Sequence, residues 1–137
     1  MDYEQFKIKE FDCWSLYLHQ NQYSYLGRCY ASARREEANL VTEINIYEAI
    51  ELTIKIIPSW YKAISRLYGA STPNVAIFGN EWPHLHTHLI PRFKDKKEYY
   101  GIEFVDPNPQ GNYSPYPKRE IQLEILLKIK EDIGKLL

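Results

Sequence analysis

Three observations predict an α+β fold. Two early segments and the stretch around a histidine run alternate apolar and polar residues with period two. A long central segment repeats apolar residues at three-and-four spacing, and a second such repeat closes the chain. With 137 residues and 45% hydrophobic content, the chain can bury a sizeable core. No repeat or composition shift divides it, so 1–137 reads as one domain.

The elements follow in order. Residues 2–9 fit a short amphipathic helix. FDCWSLYLH alternates, placing Trp14, Leu16 and Leu18 on one face of a strand. His19-Gln20-Asn21-Gln22 reads as a turn, and 24–33 as the returning strand of a hairpin. Thr42 is the expected N-cap of a long helix carrying Ile46, Ile50, Ile57, Ile64 and Leu67, and Gly69 its stop. Pro58 lies inside that helix and predicts a kink or break, since an interior proline costs about 3 kcal/mol or more. NVAIF (74–78) is β-rich, Gly79-Asn80 is a turn signal, and Pro83 opens a strand that runs to Phe93. The sheet then has about five antiparallel strands, counting one near 102–105 in an otherwise loop-like 94–118. Ile121, Ile125, Ile129 and Ile133 mark a C-terminal helix.

Composition narrows the function. A net charge of −1 and the lack of a basic run argue against nucleic acid as a partner. The first residues carry no signal-peptide core, and no segment approaches the roughly eighteen apolar residues of a membrane span, so no membrane association is expected. These features predict a cytoplasmic protein. Cys13 and Cys29 form no CxxC pair, and whether they face each other across the hairpin depends on a register the sequence leaves open.

The chemistry concentrates in HLHTHLI. His84, His86 and His88 are three of the four histidines in the chain, and i, i+2 neighbours on one face of a strand lie about 6.6 Å apart. Three imidazoles would line one surface. Such a row can bind a metal or an anion, or act in catalysis. Rings from one straight strand point roughly parallel, which suits tetrahedral metal coordination poorly, because ligands there converge from separate elements.

GNEWPHLHTHLIPR resembles the histidine triad (HIT) family, whose pattern is His-φ-His-φ-His-φ-φ with φ apolar. Gly79-Asn80, Pro83 and Ile90-Pro91-Arg92 resemble its bacterial hydrolase branch, as does the layout of early hairpin, long helix, paired strands and C-terminal helix. The resemblance implies a HIT-like fold and a nucleotide hydrolase or transferase acting at the α-phosphate of a purine nucleotide. His86 would be the nucleophile, His88 would serve the leaving group, and His84 would support them. Asn80 and the backbone at Glu81 would extend a phosphate cradle, Asn74 would bond the phosphate or leaving group, and Asn21 corresponds to a ribose contact. The implied substrate is a nucleoside phosphoramidate or a dinucleoside polyphosphate. No cofactor or metal is expected on the enzyme, although magnesium could accompany a polyphosphate as its charge partner. A homodimer is implied. The alternative is a metal-binding or non-catalytic nucleotide-binding module using the same histidine row.

Thr87 departs mildly from the apolar pattern, and Glu81 stands where many members carry Ser or Thr. A carboxylate near phosphate repels it unless it turns away. Trp82 fits packing in the turn or stacking on a base, Arg92 an ion pair or a ligand, and Tyr99, Tyr100, Tyr113 and Tyr116 could line a substrate mouth. His19 is the remaining histidine.

Overall fold

The computed structural model describes residues 2–137. A five-stranded antiparallel sheet has the order β1-β2-β3-β5-β4, with β1 Lys7–Glu10, β2 Trp14–Leu18, β3 Cys29–Ala33, β4 Thr72–Ala76 and β5 His86–Arg92. β6 Lys97–Tyr99 and β7 Ile102–Phe104 form a separate hairpin. The helices are α1 Ile46–Ile50, α2 Ile57–Tyr68 and α3 Leu123–Gly134.

Register assigns the two faces of the sheet. Trp14 pairs with Ala33, Leu16 with Ala31 and Leu18 with Cys29, and Cys29 pairs in turn with Leu89. All are buried, and they join Trp60 and Ile64 of α2 and Ile129 and Ile133 of α3 in one core. Small residues on β3 opposite large ones on β2 let the helices approach. Both buried indoles find acceptors, Trp14 at the Glu48 carbonyl (2.9 Å) and Trp60 at the Gly27 carbonyl (3.0 Å). Alternation puts Ser15, Tyr17, Tyr30, Ser32, His86 and His88 on the opposite face, where Tyr30 pairs with His88 and Ser32 with His86.

The hairpin, the central helix, the histidine strand and the C-terminal helix are where the sequence predicts them. Several boundaries differ. Residues 3–6 make a 3₁₀ turn and 7–10 pair as β1; an edge strand with one solvated face can resemble a short amphipathic helix. The returning strand begins only at Cys29, because 22–28 is held as a compact turn: the Gln22 amide donates to the carbonyls of His19 and Arg28, and its oxygen accepts from Gly27 N–H. The helix cap is Asn45, not Thr42. Asn45 and Glu48 form a reciprocal capping box, and Thr42 lies in a preceding 3₁₀ turn. Cys13 and Cys29 sit near opposite ends of the hairpin and are free thiols.

Pro58 does not break the helix. Between α1 and α2, Glu51–Ile56 widens into a π-helical turn in which Ile57 N–H donates to Leu52 O, five residues back. Thr53 and Ile54, the residues a donor at 58 would reach, are exposed, so water can satisfy their carbonyls and relieve most of the proline penalty. From this turn Glu51 reaches the backbone N–H of Cys13 and Trp14 (2.8 and 3.2 Å), fixing the helix to the start of β2.

Candidate active site

The histidines stand on β5 and its lead-in. The strand begins at His86 rather than at Pro83, and His84 makes a different contact from its neighbours: its Nε2 donates to Ala33 O (2.7 Å), fastening the lead-in to the end of β3. His86 is 7% exposed. Its Nδ1 donates to His84 O at 2.6 Å, which fixes the tautomer and leaves Nε2 with a free lone pair. The His86 and His88 rings lie 5.0 Å apart, centroid to centroid.

Two adjoining cavities, about 660 and 670 Å³, open over this face and share His19, Asn21, Glu81, Trp82, His86 and His88. The first is lined further by Tyr3, Tyr17, Tyr30 and Ser32, and Tyr17 and Tyr30 stack at 5.2 Å. It is an aromatic chamber able to hold a planar base. The second is polar and cationic, lined by Arg28, Asn80, Tyr113, Tyr116 and Lys118. Trp82 tilts against His86 at 4.6 Å, so it belongs to the site wall rather than only to the turn.

His19, at the end of β2, joins the site as a fourth histidine with its ring 6.0 Å from His88. Its Nδ1 accepts from Asn21 N–H (3.0 Å), which places its proton on Nε2. Burial first, then the Arg28 guanidinium and the His88 and His86 rings, hold His19 well below the ordinary histidine range. Burial, Arg28 and His86 push His88 down to about 4, so it is neutral at pH 7. A histidine with a depressed folded pKa binds fewer protons folded than unfolded. Its contribution to stability is complete above about pH 6.5 and is lost as pH falls toward 4. Denaturant titrations at several pH values are expected to show His88→Asn losing less stability over this interval than the parent chain; equal losses would refute the assignment.

Asn21, Asn80 and Glu81 all line the cavities. Asn74 does not. It stands on the histidine face of the sheet, opposite Ile90, and its Oδ1 accepts from Arg92 Nη1 (3.2 Å). Arg92 is structural: Nε and Nη2 clasp Asp106 (2.6 and 3.0 Å), Nη1 also reaches Gly111 O (2.9 Å) and Nη2 reaches Asn108 O (2.6 Å). Tyr25 also holds this loop, donating to Tyr113 O.

A second buried arginine contrasts with it. Arg28 is 3% exposed. Its Nη1 donates to Tyr116 OH (2.7 Å) and its guanidinium lies against both the Tyr113 and the Tyr116 ring, at 5.6 and 5.3 Å, yet its Nε is buried without a partner. Among the described residues no carboxylate pairs with it. Cation–π contacts return about 2 kcal/mol when desolvated, whereas burying an ion costs several. The cation is under-compensated. The sequence marks His19 only as the remaining histidine and gives Arg28 no role, because both come from the turn between β2 and β3. The one available signal was parity, since His19 continues the site-facing series Ser15, Tyr17.

Among the described residues no three His, Cys, Asp or Glu side chains converge as metal ligands. No helix among them is long and apolar enough to cross a membrane.

No protein-family model and no curated protein sequence matches the chain, but solved structures do. A histidine triad protein from Sinorhizobium meliloti 1021 is 18% identical with a TM-score of 0.76, covering 100% of this chain and 96% of that one. A histidine triad protein from Marinobacter aquaeolei VT8 is 20% identical, with a TM-score of 0.74 and coverage of 96% and 87%. The Plasmodium falciparum diadenosine triphosphate hydrolase is 13% identical, with a TM-score of 0.59 and coverage of 99% and 76%. The chain has the histidine triad fold over nearly its whole length. Within that fold His86 and His88 stand on β5, His84 precedes them, and hydrolases are among the structural neighbours.

Proposed function

We propose that this chain is a nucleotide hydrolase of the histidine triad type, acting at the α-phosphate of a purine nucleotide through a nucleotidyl-histidine intermediate. The bond from His86 Nδ1 to His84 O carries the proposal, because it aims an unprotonated Nε2 at the cavities. Nε2 attacks phosphorus, the N–P bond forms and the bond to the leaving group breaks. The ring gains positive charge as it does so, and the His84 carbonyl, already in place, stabilises it. His88 starts neutral; an incoming phosphate raises its proton affinity, and the proton it gains passes to the leaving group. Water then adds to phosphorus, the N–P bond breaks, and the water proton returns to the His88 side of the site. The nucleoside occupies the aromatic chamber near Asn21, and Asn80 with the backbone at Glu81 faces the phosphate.

No metal or cofactor is assigned to the enzyme, with magnesium acting only as a partner of a polyphosphate substrate. The cytoplasm is the proposed compartment, consistent with two free thiols. The test is release of nucleoside monophosphate from adenosine phosphoramidate and from diadenosine tetraphosphate, side by side in EDTA, with acid-free trapping of the nucleotidyl protein. Turnover with a trapped adduct supports the reading. Tight binding without turnover would make the chain a nucleotide-binding module, and cleavage abolished by EDTA would make it a metal enzyme.

We also propose a homodimer. Ile46, Tyr47, Ile50 and Ile54 leave an apolar strip along the central helix, with Ile54 74% exposed, more than a monomer usually presents in one place. Ile54→Asp should convert a dimer to a monomer by light scattering; a monomeric parent chain would refute the dimer.

A further inference from the structure

Two arginines of this chain are buried, and only one is satisfied. Arg92 donates to Asp106, Asn74, Asn108 and Gly111, as expected of an arginine that holds a fold together. Arg28 has one hydroxyl, two ring faces and a buried Nε without a partner, and it lines the second cavity beside His19 and His88. Lys118 lines the same cavity, and the only carboxylate there is Glu81, which is exposed. Its neighbours Asn80, Asn112 and Ser114 are polar. A buried cation without a counter-charge, facing an open polar cavity, is arranged to receive an anion.

The two cavities divide any substrate placed on His86. The aromatic chamber suits the nucleoside, so the portion that departs lies on the Arg28 side. We propose that Arg28 and Lys118 form an anion subsite for the phosphates of the leaving group, which makes phosphoanhydrides, rather than phosphoramidates with an uncharged amine, the preferred substrate class. This rests on the hydrolase reading above. Tyr113 and Tyr116 hold the guanidinium plane in position, so a bidentate phosphate meets it without further ordering. The anhydride bond broken is the one between the α-phosphorus and the bridging oxygen, which leaves on the β-phosphate with the proton from His88, while the remaining phosphate oxygens keep their negative charge and are held by these cations.

The experiment compares kcat/KM for diadenosine tetraphosphate and adenosine phosphoramidate in the parent chain, Arg28→Gln and Lys118→Ala. Removing one charge-assisted phosphate contact should lower the polyphosphate-to-phosphoramidate ratio about tenfold or more in Arg28→Gln, chiefly through KM. Lys118, exposed and more screened, should give a smaller change of the same sign. An equal loss on both substrates, or no change in the ratio, overturns the proposal. Binding of inorganic tripolyphosphate, measured by calorimetry, tests the subsite without turnover. Tripolyphosphate binding that weakens in both variants supports it even if neither nucleotide is cleaved, and no binding to the parent chain refutes it. Should Arg28→Gln fail to fold, Lys118→Ala alone decides by the same ratio, since an exposed lysine can be truncated without loss of the core.

Discussion

Purified His86→Ala is expected to release nucleoside monophosphate at least about a thousandfold more slowly than the parent chain while remaining folded. The side chain lies on the cavity face of β5, so its loss enlarges a solvent-connected space and leaves the hydrophobic core intact. Among the described residues its ring hydrogen-bonds to one group, a carbonyl two residues away. The rate loss should fall on kcat, because the N–P bond exists only beyond the ground state. The vacated space gives a sharper criterion: free imidazole in the buffer should restore part of the activity, as it can occupy the position of the missing ring. A residue that merely shaped the strand would not be rescued this way. His88→Asn should cost less, about a hundredfold. Full activity in His86→Ala would end the nucleophile assignment.

Asp106→Ala is expected to lower the unfolding free energy by about 3–5 kcal/mol, because it strands the Arg92 guanidinium in a site where the two side chains are 3% and 1% exposed. For a chain of this size that corresponds to a fall in Tm of roughly 10 °C or more. The double variant Arg92→Met, Asp106→Leu should recover much of the loss, since the desolvation cost of the pair disappears together with its attraction. If Asp106→Ala unfolds at the parent temperature, the ion pair contributes nothing and the carbonyls of Asn108 and Gly111 with Tyr25 suffice to hold the loop.

The triad and the hairpin were legible because a strand writes its faces into the sequence with period two. Trp14, Leu16 and Leu18 went to the core and His86 and His88 to the cavity for the same reason. The turn at 22–28 was not legible, since its shape depends on one amide, Gln22, bonding three backbone groups. With it went His19 and Arg28, whose positions follow from that turn. Pro58 marked an interruption of the α-helix, but the form it takes, a π-helical turn ahead of α2, depends on the folded environment rather than on the residue. Asn74 was expected beside the phosphate; the register that pairs it with Ile90 puts it on the histidine face, where its Oδ1 accepts from Arg92 and it lines neither cavity. The tyrosines of the long loop divided as their contacts allowed. Tyr113 and Tyr116 reached the cavity, whereas Tyr100 donates to Asp132 of α3 and holds the hairpin against it.

The clasp at Arg92 ends at Gly111 and Ile121 enters the core ahead of α3; between them the chain is held at Tyr113 by Tyr25 and at Tyr116 by Arg28. Residues 112–118 thus span two anchors and contribute much of the cationic cavity wall. They form an interchangeable cassette. A replacement of equal length between Gly111 and Ile121 that keeps Tyr113 and Tyr116 would redraw the cationic cavity while the sheet, the histidines and the aromatic chamber stay as they are.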